Sequence, residues 1–334
     1  MNKSKQITTG ILNLSTAEFL AEEHDFTKRE FALLDMDFEG LAVNAPAMIN
    51  PARQDRLPVV LATVETTRRQ WEVFKGKNLI LLACHIESGD LYLDNAYPPP
   101  EKMPEDEPFS RQPPEPGDTP PYTSCANIEM FQARERLNLP WEPGSFALAV
   151  ISYDRVSNVV EVHLKGDQPP ETGTAKPVFP APKPNFPSYL PNPKTPKLSG
   201  PGLSFTMDTR SDAGAKLVVR GAFSTTAKPH HVPQADTMES FFDGQPQTVG
   251  AVVPLTFLIV GLDWKAPMRF DWAIPVYSSK KIEPGAVLQG YFAVDVLAEN
   301  DGKLRPGTNM AYIVMEGAVY GPVEFGWDAP TKNL

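Results

Sequence analysis

Proline constrains this chain more than any other residue. It fills 36 of the 334 positions, about twice the usual share. Each proline fixes φ and removes a backbone donor, so a chain this interrupted cannot run as long helices. It can form short strands joined by stiff loops, because proline is tolerated at strand edges and in turns. Two stretches concentrate it. Residues 97–122, YPPPEKMPEDEPFSRQPPEPGDTPPY, read as a long loop whose acidic part, Glu101–Asp118, is a solvated connection. Residues from about 166 to 201 lack any periodicity and read as a linker. The apolar residues spaced through that linker (Val178, Phe179, Phe186, Tyr189 and Leu190) predict that it lies ordered along a surface.

Between these stretches the pattern is that of strands. VVLATVET, NLILLACHI and DLYLD are short apolar runs bounded by Gly, Asn and Asp, and strands resume at IEMFQA and SFALAVISYD. In NVVEVHLK, Val160, Val162 and Leu164 alternate with Glu161, His163 and Lys165, with RVS as the hairpin connection before it. After the linker come LSFTMDT, AKLVVRGAFS, VGAVVPLTFLIVGL, MRFDWAIPVY, AVLQGYFAVDVLA and NMAYIVMEGAVYGPVEFGW, an expected six or seven strands. The expected fold is therefore all-β with minor helix: two β-sandwich or jelly-roll-like domains joined by an ordered proline-rich linker. The divisions fall at 1–24 (a segment with a short helix opening on the Ser15-x-x-Glu18 capping box), 25–165, 166–197 and 198–334.

The halves resemble each other. Glu142-Pro143-Gly144 opens SFALAVISYD and Glu283-Pro284-Gly285 opens AVLQGYFAVD, 141 residues later. A similar slide brings Val64-Glu65-Thr66 onto Met207-Asp208-Thr209. This predicts an internal duplication in which Phe146–Asp154 and Val287–Asp295 are equivalent strands.

Charge excludes some partners. The formal charge of −10 lacks the basic footprint that nucleic acid requires and disfavours anionic lipid. No apolar run reaches the length that spans a bilayer, the longest candidate being Val249–Leu262 with Pro254 and Gly261 inside it, so membrane insertion is not expected. The start, MNKSKQITTGILNLSTAEF, holds no apolar stretch of signal-peptide length; a cytoplasmic location is expected, or release by a non-classical route.

Motifs for chemistry are sparse. There is no glycine-rich phosphate loop, Gly-x-Ser-x-Gly elbow or His-Glu-x-x-His, and no catalytic residue is assigned. Cys84 and Cys125 form no disulfide framework; Cys84, within LILLACHI, reads as a buried inert thiol. His85 reads as a hydrogen-bonded core histidine, His163 as a surface residue, and His230-His231, between Pro229 and Pro233, as an exposed polar loop. Asp35-x-Asp37-x-Glu39-Gly40 imitates the start of a calcium loop, but Pro46 stands where the closing glutamate belongs, and alternation with Leu34, Met36 and Phe38 explains the spacing as a strand. Neither a metal nor an organic cofactor is expected.

The candidate for recognition is GLDWKAPMRFDWAIPVY, in which Asp263, Trp264, Arg269, Asp271 and Trp272 place flat aromatics beside charges. Such a set holds a sugar ring or anchors a protein interface. The simpler reading puts Phe270 and Trp272 in the core and Arg269 and Asp271 in water, since alternation separates them. The expected function is non-catalytic: a structural or interaction protein assembling with itself or a protein partner through its β-domains and long loops. Two alternatives are a carbohydrate-binding protein using the Trp264/Trp272 region and a carboxylate-based hydrolase with Asp263 or Asp271 as acid and base.

Overall fold

The computed structural model describes residues 40–65, 79–95, 125–166, 198, 200–210, 216–231, 239–242, 245–261, 266–278, 282–299 and 304–327. The Ser15 capping box, the Asp35–Glu39 run, the acidic proline-rich loop and nearly all of the linker lie outside them. The described chain is nearly all strand, as its proline and alternation require. It divides into two compact units. One holds the described residues of Met1–Ala83, Tyr92–Asp167 and Leu262–Ala266; the other those of Cys84–Leu91, Gln168–Gly261 and Pro267–Leu334.

Up to residue 166 the strands are β1 (Gly40–Asn44), β2 (Met48–Ile49), β3 (Pro58–Glu65), β4 (Ile80–His85), β5 (Leu91–Asn95), β6 (Cys125–Gln132), β7 (Gly144–Ser152), β8 (Arg155–Val156) and β9 (Val160–Leu164). A short helix, α1 (Ala133–Leu137), joins β6 to β7. One sheet has the order β1-β3-β6 and the other β2-β9-β7-β4-β5, with β8 also on β7. Both contribute to one apolar core: Leu41, Val43, Val59 and Leu61 from the first, Leu81, Phe146, Leu148 and Val162 from the second. The tight turn is Tyr153-Asp154, not the expected RVS, because Arg155 and Val156 already pair with Ser152 and Ile151. The outer strand β1 is clamped by a side chain: the Asn158 carboxamide accepts from Val43 N–H and donates to Val43 C=O, each at 2.8 Å.

The remaining strands number eight among the described residues, one more than the upper expectation: β10 (Gly202–Arg210), β11 (Lys216–Thr226), β12 (Glu239–Phe242), β13 (Gln245–Gly261), β14 (Met268–Ser278), β15 (Val287–Asp295), β16 (Gly307–Met315) and β17 (Ala318–Trp327). Helix α2 (Val296–Glu299) follows β15. The sheets are β10-β11-β15 and β12-β13-β16-β17, with β14 also on β13. Prolines sit where a missing N–H is harmless. Pro254 falls in the part of β13 paired only with β14, between the stretches paired with β12 and β16, and Pro275 and Pro322 lie on the outer strands β14 and β17.

The two sets of strands repeat one topology. The order β5-β4-β7-β9 recurs as β14-β13-β16-β17, and β1-β3-β6 as β10-β11-β15. Register agrees residue by residue. Gly144 opposes Leu164 and Leu148 opposes Val160; 163 positions on, Gly307 opposes Trp327 and Ala311 opposes Val323. The ladder then slips by one residue at the same place, so Ser152 faces Arg155 as Met315 faces Ala318. Gly40 and Gly202 open equivalent strands at φ 127° and 128°, a conformation suited to glycine. The duplication is thus read in a frame of 163 for β7 and β9 and of 162 at Gly40, not 141. The true counterpart of Pro143-Gly144 is Pro306-Gly307, β7 matches β16, and Val287–Asp295 matches β6. The shared Glu-Pro-Gly pulled the expected alignment one strand away.

Candidate functional site

The recognition region predicted from sequence is divided by its own alternation. Asp263 and Trp264 lie outside the described residues. On β14, Arg269 and Asp271 stand on the solvent side, with Arg269 Nε donating to both carboxylate oxygens at 2.9 Å. Thr256 Oγ1 of β13 donates to the same carboxylate at 2.8 Å. Trp272 points the other way and is 2% exposed. Its ring stacks on Phe257 (centroids 5.1 Å apart, 10° between planes) and lies 6.2 Å from Phe292 of β15, linking the two sheets. The indole Nε1 has no hydrogen-bond partner among the described residues. Arg269 and Asp271 are therefore brought together, and Trp272 is separated from them by the thickness of the strand.

A second cluster was not foreseen. After β11 the chain makes a single 3₁₀ turn, Pro229–His231, which buries His231 completely. The exposed-loop expectation fails here because the turn satisfies the ring itself: Lys228 N–H donates to Nδ1 at 3.2 Å. That leaves the hydrogen on Nε2, which faces Glu316 Oε1 at 3.2 Å without good hydrogen-bond alignment. Glu316 occupies the two-residue turn between β16 and β17 at φ 53°, followed by Gly317 at φ 82°, the mirror-image turn that hairpin twist favours. A glutamate in this left-handed region is uncommon. It is held by Thr225 Oγ1, which donates to Oε2 at 2.7 Å, with Lys228 Nζ at 3.7 Å from the same oxygen. Burial first, then neighbouring His230 and Lys228, pull the His231 pKa down to about 4. Burial and Lys228 lower His230 as well. His231 is therefore a neutral imidazole at neutral pH, next to Glu316. Lys228 and Pro233 flanking the histidines gave no hint, because Thr225 and Glu316 are 91 residues apart.

The other singled-out residues are settled locally. Burial pushes the Cys84 thiol up to about 11, far from a reactive thiolate. His85 Nδ1 and Ser88 Oγ are 2.8 Å apart, and Ser88 donates to Asp90 at 2.6 Å, closing the turn after β4. His163 is half-buried, 3.0 Å from Ser145 Oγ. Among the described residues no three His, Cys, Asp or Glu side chains are grouped to hold a metal, and no helix is long and apolar enough to cross a membrane.

The third feature is the rim of the sheets. Six large hydrophobic side chains stand exposed among the described residues, and five of them (Met48, Met130, Tyr277, Val287 and Tyr291) lie on outermost strands, β2, β6, β14 and β15. An outermost strand offers unpaired backbone groups as well as side chains, so apolar residues there mark places where another strand can add. No protein-family model matches this chain, and no curated protein matches it.

Proposed function

We propose that this chain is a non-catalytic structural or interaction protein that assembles through the rims of its β-sheets, with itself or with a protein partner. The observation that carries the reading is the placement of exposed apolar side chains: Met48, Met130, Tyr277, Val287 and Tyr291 all sit on outermost strands rather than scattered over the faces. Burying such residues against a partner releases about 25 cal/mol per Å² of apolar surface. The added ladder satisfies backbone groups that water otherwise serves. The net charge of −10 keeps separate copies soluble and leaves uncharged stretches as the places of least repulsion.

The test is the mass of the purified full chain by size exclusion with light scattering over a hundredfold concentration range, combined with chemical cross-linking. A mass above one chain that rises with concentration, or a cross-linked protein partner, is expected. A strict monomer that cross-links to nothing and is retained on a sugar resin would overturn the reading in favour of carbohydrate binding.

A further inference from the structure

Proteins guard long outer strands with charge, proline or a covering side chain. Among the described residues, four of the five outer strands longer than five residues follow this rule in the sequence. β6 carries Glu129, β10 carries Asp208 and Arg210, β14 carries Arg269, Asp271 and Pro275, and β17 carries Pro322 and Glu324. The shorter β1 has its Val43 backbone clamped by Asn158. β15 breaks the rule. Its sequence VLQGYFAVD holds no proline and no charge before Asp295. Among the described residues it pairs with β11 alone. Val287 is 70% and Tyr291 51% exposed on the same face as exposed Gln289.

We infer that β15 is a self-pairing strand: it joins β15 of a second copy of this chain, antiparallel across a twofold axis at Gln289. The inference rests on the assembly reading above and names its partner. Two observations choose a second copy over a foreign segment. First, identical copies each carrying −10 repel wherever acidic surfaces meet, and the stretch that this register sets against itself, Val287–Tyr291, holds no charge. Second, the strand is complementary to its own reverse. With Gln289 opposite Gln289, each Val287 falls opposite a Tyr291, a β-branched–aromatic pairing that sheets favour, and the two carboxamides can bond each other. On the other face Leu288 falls opposite Gly290, large against small. The result is an isologous contact that continues β10-β11-β15 into its copy as one six-stranded sheet.

The experiment uses the full chain and two substitutions at the exposed twofold position. Gln289→Lys opposes two like charges at the axis and should weaken self-association at least tenfold, while Thr209→Lys, exposed on β10 at the opposite edge of the same sheet, should leave it unchanged. Gln289→Cys brings a thiol opposite itself and should give a disulfide-linked dimer on mild oxidation, whereas Thr209→Cys should not. If the wild-type chain associates but Gln289→Lys has no effect and Gln289→Cys does not cross-link, self-pairing at β15 falls and assembly by another rim stands. If the wild-type chain is monomeric at every concentration and Gln289→Cys stays unlinked, this inference falls; whether a foreign partner is cross-linked then decides the assembly reading separately.

Discussion

A phenyl ring lying on a glycine leaves no room for a methyl group, and β11 and β15 use this twice. Phe292 covers its register partner Gly221, where a Cβ would come within 2.3 Å of the ring, and Phe223 covers Gly290, where it would come within 2.5 Å. Gly221→Ala or Gly290→Ala should each cost about 1–3 kcal/mol, as overpacking does, read as a fall in the urea midpoint. Gly326→Ala, where an added Cβ would meet nothing within 4 Å, should move it far less. His231 makes a different kind of prediction. The folded protein holds its pKa at about 4, while the unfolded chain takes up a proton below about 6.5. Unfolding binds a proton across that window, so stability should be full above it and fall as pH drops from about 6.5 to about 4. Thermal midpoints measured along this range should show a shallower acid limb in His231→Gln than in the wild type. Neither feature was legible in the sequence. A glycine in AKLVVRGAFS shows no sign of the ring 71 residues away, and a Pro-His-His-x-Pro run looks solvated until Glu316 is folded against it.

Strands were the legible part. Alternation and Gly/Asn/Asp punctuation placed β3, β4, β7, β9 and β14 within a residue or two, because a half-buried strand must show period two whatever it packs against. The same alternation is why a cluster of aromatics and charges in sequence becomes two separate sets in space on β14. Trp272 belongs to the packed face, against Phe257 and Phe292. Trp272→Ala should therefore cost about 3–5 kcal/mol. Trp272→Phe should cost much less, since the indole N–H it removes is already without a partner among the described residues. Two denaturation curves decide this, and equal losses for both variants would contradict the packing described. Arg269→Ala, by contrast, removes an exposed pair and should change stability by no more than about 1 kcal/mol.

At the scale of the whole chain, a duplication was readable but its frame was not. The three-residue match at Glu-Pro-Gly set the wrong frame, because tripeptides carry no information about register and ladders do. In the frame of 163, β6 is the counterpart of β15, and the two have diverged: Glu129 stands in one where Phe292 stands in the other. A chain with two open rims of this kind would join neighbours at both ends and grow without limit, whereas one that pairs about a twofold through a single rim stops at two copies. A second rim without charge would lift that limit. Glu129→Val takes the charge out of β6 and should turn a bounded mass in light scattering into one that keeps climbing with concentration and time.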